Sequence, residues 1–317
     1  MATIPAKAAG SRPGRRFDPT PGKVRYSRGW LGAAALGAAV GATALAKGGL
    51  STAAALAAVG VAGAAYATLY EPRALRLERL TLRLAGLPAG LDGLRVGQIS
   101  DLHLGHPYSF ANARRAAEAL AAERPDLLVL TGDFVSYEHA IASLPAALAP
   151  LAAAPAPLGS FAVPGNHDYW EGVPAIQAAL APLGVEFLIN EHRLLRHGGA
   201  ELVVAGVDDM WDGVPDLDGA LEGAPRGAFT LLMSHCPDLA DEAAARGVGL
   251  QFSGHTHGGH MRLPALGSFC LPRFGWNYPV GHEHVGAMQL YVSRGVGGLP
   301  LRLNCPPEAA VFTLRRA

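Results

Sequence analysis

At 317 residues the chain exceeds one average domain of roughly 100–200 residues, and its 50% hydrophobic content excludes a wholly disordered protein. Only 16% of residues are charged, against about 25% in an ordinary soluble domain, which directs attention to membrane segments. Lys+Arg and Asp+Glu balance at 26 each, so no global basic field gathers nucleic acid, and Cys236, Cys270 and Cys305 neither close a disulfide framework nor form a CxxC pair.

Residues 1–29 read as a disordered basic tail, in which Lys7, Arg12, Arg15, Arg16, Lys23, Arg25 and Arg28 stand against the single acid Asp18. Residues 30–70 carry one charge, Lys47, and Lys47-Gly48-Gly49 divides them into two apolar halves. Each half approaches the roughly 20 residues that cross a bilayer, and neither shows the polar face a soluble helix needs. The expectation is a transmembrane segment or helical hairpin that anchors the chain to the cell membrane. If both halves span, the basic flanks, including Arg73, Arg76, Arg79 and Arg83, put the rest of the chain on the cytoplasmic side; if one spans, it lies outside.

A catalytic domain is expected over residues 71–317. It opens with residues 75–84, where apolar side chains alternate with Arg, Glu and Thr as in a half-exposed strand. After that one arrangement repeats: a short apolar run, then a polar cluster, then often an Ala-rich helical stretch. Runs at 93–100, 126–131, 160–163, 229–233 and 248–252 lead into Asp101, Gly132-Asp133, Gly165-Asn166-His167-Asp168, Ser234-His235 and Gly254-His255-Thr256-His257. Strand and helix alternation of this kind predicts an α/β fold, whose ligand groups gather beyond the carboxyl ends of its strands. Residues 185–189 are apolar enough for one more core strand.

The atoms in those clusters define a chemistry. Asp101, Asp133, Asn166, His103, His235, His255 and His257 are seven possible ligands, enough for two divalent metal ions. Nitrogen and oxygen donors without thiolate favour Mn, Zn or Fe over Ca. His255 and His257 lie two apart, so in extended backbone they would project to one side. An Asp between two cations can give one oxygen to each and hold them roughly 3.5–4 Å apart, a spacing that clamps a phosphate and an activated water together.

The series Asp101-Leu102-His103, Gly132-Asp133, Gly165-Asn166-His167-Asp168, Ser234-His235 and Gly254-His255-Thr256-His257 resembles the calcineurin-like metallophosphoesterases in order, strand context and spacing, from about Leu91 to the C-terminus. One such motif would be weak; five in order are strong. The apolar start, the GHTHGG signature, Gly206-Val207-Asp208-Asp209 and Asn304-Cys305-Pro306-Pro307-Glu308 resemble a bacterial subgroup of membrane-associated phosphodiesterases related to UDP-2,3-diacylglucosamine pyrophosphatases. The resemblance implies a layered α/β/β/α sandwich of two mixed sheets. It also implies that Asp101, His103 and His257 hold one metal, that Asn166, His235 and His255 hold the other, and that Asp133 bridges them. His167 would protonate the leaving oxygen or stabilise phosphoryl charge, with Asp168 orienting it. No covalent enzyme intermediate is expected.

Departures from the family bear on substrate choice. Phe134-Val135-Ser136 follow the GD motif where many relatives carry an Arg, and Arg262, Arg273 and Arg294 are better read as surface or salt-bridge residues than as replacements. His260 stands where the subgroup often has Gln, as a candidate substrate contact. Asp168 could also cap a helix beginning at Tyr169, Asp208 and Asp209 suit a turn, and Trp170, Trp211 and Trp276 default to buried packing. The expected partners are a membrane and a phosphodiester or pyrophosphate substrate that is lipid or linked to lipid, resembling UDP-2,3-diacylglucosamine. Soluble nucleotides or phosphomonoesters are the alternative, and a metal-binding scaffold without catalysis is the reading outside enzymology.

Overall fold

Short apolar runs become strands where both of their faces find a packing partner, and in the computed structural model of the protein they assemble into two mixed six-stranded sheets. The structure describes residues 54–263, 267–268 and 270–317 with single positions 43, 46, 49 and 52; the expected basic tail, and the first apolar half apart from positions 43 and 46, lie outside the described residues. In chain order the strands are β1 (Arg76–Leu84), β2 (Arg95–Ile99), β3 (Leu127–Leu130), β4 (Ser160–Ala162), β5 (Val185–Phe187), β6 (Glu191–His197), β7 (Ala200–Gly206), β8 (Phe229–Met233), β9 (Leu250–Ser253), β10 (Arg262–Leu263), β11 (Gly267–Ser268), β12 (Gly281–Val285), β13 (Met288–Val292) and β14 (Glu308–Arg316). The first sheet runs β1-β14-β2-β3-β4-β5 and the second β12-β13-β9-β8-β7-β6, while β10 and β11 pair apart from both.

Inside each sheet the strands that carry the polar clusters are parallel: β2, β3 and β4 in the first, and β8 and β9 in the second. Their carboxyl ends therefore point the same way within a sheet, and polar loops collect at one edge. Period-two alternation then sorts the side chains. On β3, Leu127 and Val129 face the second sheet, while Leu128 and Leu130 face helices.

Three buried clusters make four layers. Helices α2 (Ser109–Glu123), α3 (Leu144–Ala153) and α5 (Val173–Leu180) cover the first sheet through Ala113, Leu120, Leu148 and Ile176 against Leu128, Leu130 and Val311. Between the sheets Val96, Val129 and Phe312 meet Val204, Leu231 and Phe252. Helices α6 (Leu217–Leu221) and α7 (Ala240–Ala245) close the far side against Val203, Leu232 and Leu290. The expected α/β/β/α sandwich is present.

Ahead of β1, helix α1 (Ala54–Arg73) is long and apolar enough to cross a membrane by length and composition, and most of it is exposed. Its last turns are not free of the fold: Ala67 is buried, and its carbonyl accepts the amide of Arg302 at 2.8 Å.

A candidate dimetal centre between two sheets

The seven expected ligands converge. Loops after β2, β3 and β4 deliver Asp101, His103, Asp133 and Asn166 from the first sheet, and loops after β8 and β9 deliver His235, His255 and His257 from the second; all are buried. Asn166 opens helix α4 (Asn166–Glu171). The side chains form two connected groups. In one, the Nε2 atoms of His103 and His257 lie 3.0 Å apart, and His257 Nε2 is 3.4 Å from Asp101 Oδ1. In the other, His255 Nδ1 is 3.2 Å from His235 Nε2. Donor atoms gathered so closely suit a shared cation.

Asp133 joins the groups through one oxygen rather than two. Its Oδ2 lies 3.4 Å from His103 Nε2 and 3.3 Å from His235 Nε2, whereas Oδ1 accepts the amide hydrogen of His167 at 2.9 Å. The backbone thus holds the second oxygen toward the His167 amide, while Oδ2 faces both imidazole groups. Asn166 Oδ1 is buried with no hydrogen-bond partner among the described residues, and it is the amide oxygen the second group needs. These residues fit a pair of divalent ions.

The imidazoles are oriented by what their other nitrogens touch. His235 Nδ1 donates to the carbonyl of Thr131 at 2.7 Å, which turns Nε2 toward Asp133. His255 is turned over: Nε2 donates to the carbonyl of Arg273 at 2.7 Å and Nδ1 faces the centre. His103 Nδ1 lies 2.9 Å from the Ser136 hydroxyl. Burial holds His103 and His257 well below the usual histidine range and His255 at about 3, so each is neutral, as a ligand must be. Burial also pushes Asp101 up to about 7, whereas for Asp133 it is outweighed above all by His235, which holds the carboxyl well below the usual range and is itself held well above the usual histidine range by it.

Five of the ligands, Asp101, His103, Asp133, His255 and His257, have positive φ, between 45° and 72°. Such backbone costs of order 1–3 kcal/mol per non-glycine residue and persists only where its surroundings impose it. Here the loops brace one another: the Asp101 amide donates to Gly132 O, that of His103 to Asp133 O, and that of His255 to Asp101 Oδ1. Packing is too close for side chains at two glycines. A Cβ at Gly165 would lie 2.3 Å from Asp133 Oδ1, and one at Gly254 would lie 2.2 Å from Asp101 Oδ2. The same backbone corrects the expectation for His255 and His257. β9 ends at Ser253, and the two histidines sit in a turn that sends each to a different group.

His167 is half-buried beside the ligands, its ring edge-on to His103 at 4.6 Å between centroids. Asp168 does not turn toward it. The fully buried Asp168 carboxylate accepts amide hydrogens from Asp133 and Gly165 through Oδ2 and from Phe134 through Oδ1, at 2.8–2.9 Å. As the third residue of α4 it caps the helix and ties the Gly165 loop to the Asp133 loop, so the expected orienting of His167 and the expected helix start at Tyr169 both give way. His260, expected to meet substrate, is 4% exposed and stacks on the His257 ring at 4.6 Å, which places it behind a ligand.

Of the three arginines that could replace the one absent after the GD motif, two have partners elsewhere. Arg294 pairs with Glu78 and Glu308, and Arg273 lies over the Phe274 ring. Sequence reasoning missed Arg302, fully buried with one guanidinium nitrogen 2.6 Å from Gly297 O and 3.2 Å from His257 Nδ1. Its only signal was one cation in the apolar run 299–303. Ser136 was missed likewise. Asp208 and Asp209 are turn residues as expected: Asp208 accepts the amides of Asp209 and Val214, and Asp209 those of Trp211 and Asp212. Trp170 and Trp276, each 43% exposed, depart from the expected buried packing. His106, His139, His192, His197, His282 and His284 belong to none of the candidate metal groups among the described residues.

With this geometry in view, comparison with known proteins places the chain. Residues 94–259 match the calcineurin-like phosphoesterase family, and the chain belongs to it. It is a metal-dependent phosphoester hydrolase of the kind that uses a dinuclear divalent metal centre. It is 33% identical over 261 residues to the uncharacterized metallophosphoesterase YkuE of Bacillus subtilis, covering 80% of this chain and 90% of that protein. Identity to the phosphodiesterase YaeI of Escherichia coli is 31%, over 80% of this chain and 93% of that one. The UDP-2,3-diacylglucosamine pyrophosphatase LpxG of Chlamydia trachomatis is 29% identical, over 78% of this chain and 91% of its own.

Proposed function

We propose that the chain cleaves phosphodiester or pyrophosphate bonds in a membrane-associated substrate, either a lipid or a lipid-linked nucleotide sugar. The observation that carries the hydrolytic reading is the single Asp133 oxygen shared by two groups of buried, oriented imidazoles, together with the buried Asn166 oxygen that has no hydrogen-bond partner among the described residues. Asp101, His103 and His257 hold one ion, Asn166, His235 and His255 the other, and Asp133 both. Bound there, the ions supply Lewis-acid polarisation of the phosphoryl oxygens and acidify water for attack.

The protein supplies placement and protons. His167, half-buried at the edge of the centre, reaches the substrate and gives a proton to the leaving oxygen through its ring. Its backbone is fixed because its amide is held by Asp133 and the next residue holds the Asp133 loop in turn. Arg302 and His260 back the His257 ring and keep it from turning away.

The lipid preference rests on α1 and on the likeness to LpxG. Residues 30–70 anchor the catalytic unit of residues 71–317, with 1–29 as a basic tail. Tyr66 and Tyr70, stacked at 5.3 Å and 46% and 63% exposed, suit the water boundary of a spanning helix. A hairpin leaves the site cytoplasmic and a single crossing leaves it outside.

The test is metal content and bis-p-nitrophenyl phosphate hydrolysis by the detergent-purified chain beside Asp133→Asn. Two transition-metal ions per chain and turnover that collapses in the variant are expected. An inactive wild type across Mn²⁺, Zn²⁺ and Fe²⁺ would end the reading.

A further inference from the structure

The three aspartates at 208, 209 and 212 have no part in the proposed chemistry, yet they organise everything next to it. Asp208 accepts the amides of Asp209 and Val214 and the hydroxyl of Tyr169, which is on α4. Asp209, fully buried, accepts the amides of Trp211 and Asp212. Asp212 accepts the indole hydrogen of Trp170 at 2.7 Å, again from α4. A tight turn is thus bolted at two points to the helix that begins at Asn166 and carries His167.

The turn and the helix together set two indoles against the centre. The Trp170 ring lies 4.3 Å from the His167 ring, Trp211 stands edge-on to Trp170 at 6.4 Å, and Trp211 is edge-on to His255 at 5.7 Å. The aromatic wall therefore runs from the proposed proton donor to a ligand of the second ion. Trp170 remains 43% exposed, and its plane is held by the bond to Asp212. Holding an exposed indole rigidly gains little for folding, but it prepares a flat face for a flat partner.

The rim selects the partner. Asp212 is exposed and bonded to the Trp170 indole, so a hydrocarbon chain laid on Trp170 would meet its two carboxylate oxygens. A nucleobase meets the indole with its face and can offer N–H donors to those acceptors. We propose that Trp170 and Trp211 form a subsite for a nucleobase on the leaving-group side of the centre, so that the group released carries a nucleoside. This deepens the phosphohydrolase reading and rests on it for the side of the centre that His167 serves.

The test compares ligands that share a phosphate and a sugar. Uridine 5′-monophosphate and ribose 5-phosphate differ only in the base, and decyl phosphate replaces both with a chain. Inhibition of bis-p-nitrophenyl phosphate hydrolysis by each is measured on the Mn²⁺-loaded full chain in detergent, with quenching of indole fluorescence as a direct reading of binding. Stacking on an aromatic side chain predicts that the nucleotide binds about 5- to 150-fold more tightly than the sugar phosphate. Trp170→Ala removes that ratio by weakening the nucleotide alone, and Trp170→Phe keeps part of it. Equal binding in the wild type, a ratio unchanged in Trp170→Ala, or a Trp170-dependent preference for decyl phosphate would each overturn the subsite. If hydrolysis is absent but the base-dependent quenching is present, the phosphohydrolase reading fails and the subsite stands.

Discussion

Asp168 shows how a residue can sit in a catalytic motif and serve it without touching chemistry. Its carboxylate gathers three buried amides, of Asp133, Phe134 and Gly165, and two of those belong to the loop that aims the shared ligand. Asp168→Ala leaves all three donors buried and unmatched, at about 1–3 kcal/mol each. Asp168→Asn keeps one accepting oxygen. Calorimetry of the metal-free chain is expected to show the alanine variant melting at least about 6 °C lower, at roughly 2–4 °C per kcal/mol, with the asparagine variant between. An alanine variant with wild-type stability that has lost only activity would return Asp168 to the role of orienting His167. The convergence was legible because metal ligation admits few residue types: Asp101, His103, Asp133, Asn166, His235, His255 and His257 are all buried, and the carboxylates and imidazoles among them lie in close groups. Which atom each offers was not legible. That depends on positive φ at five of them and on carbonyls such as those of Thr131 and Arg273, which carry no side-chain signature.

Strands at the scale of a single element were readable where a parallel core strand ends in a polar cluster, as β2, β3, β4, β8 and β9 do. β14 was not, because its place between β1 and β2 is a pairing across more than two hundred residues that no local pattern announces. The end of α1 is a second case. Glu71 closes this apolar helix and is 2% exposed, with its carboxylate accepting the amides of Asn304 at 3.0 Å and Cys305 at 2.5 Å. Cys305 in turn donates its thiol hydrogen to the His257 carbonyl, and Arg302 touches the His257 ring. The helix terminus is therefore joined through one short loop to a proposed metal ligand. Glu71→Ala orphans two buried amides, one of them on Asn304 with φ 54°. Weakened support of a ligand typically costs 10–100-fold in metal affinity. Titration of the full chain with Mn²⁺ is expected to show about that loss for one ion and little for the other, with Glu71→Gln recovering part. Equal loss for both ions would make Glu71 a general stabiliser.

Over the whole molecule, the two sheets meet at the centre as well as along their apolar interface. Each proposed ion takes ligands from both: Asp101 and His103 of the first sheet with His257 of the second, and Asp133 and Asn166 with His235 and His255. Without the ions, Asp101 and Asp133 are carboxyl groups buried at the seam, and five of the proposed ligands hold costly backbone braced only by hydrogen bonds between their loops. Metal binding is then folding free energy for the pair of sheets, since the unfolded chain does not assemble the site. At a free concentration 100 times its dissociation constant, one ion stabilises the folded state by about 2.7 kcal/mol. At roughly 2–4 °C per kcal/mol, removing both with a chelator is expected to lower the melting temperature by about 10–20 °C, and excess Mn²⁺ is expected to restore it. His257→Ala tests the link between the sheets, because it cuts one ion's tie to the second sheet and leaves Asp101 and His103 in the first. The chelator-sensitive part of its stability falls toward half of the wild-type value if each ion joins the sheets independently. If both ions act as one unit through the Asp133 oxygen, that single substitution abolishes nearly all of it, and calorimetry with and without chelator separates the two outcomes.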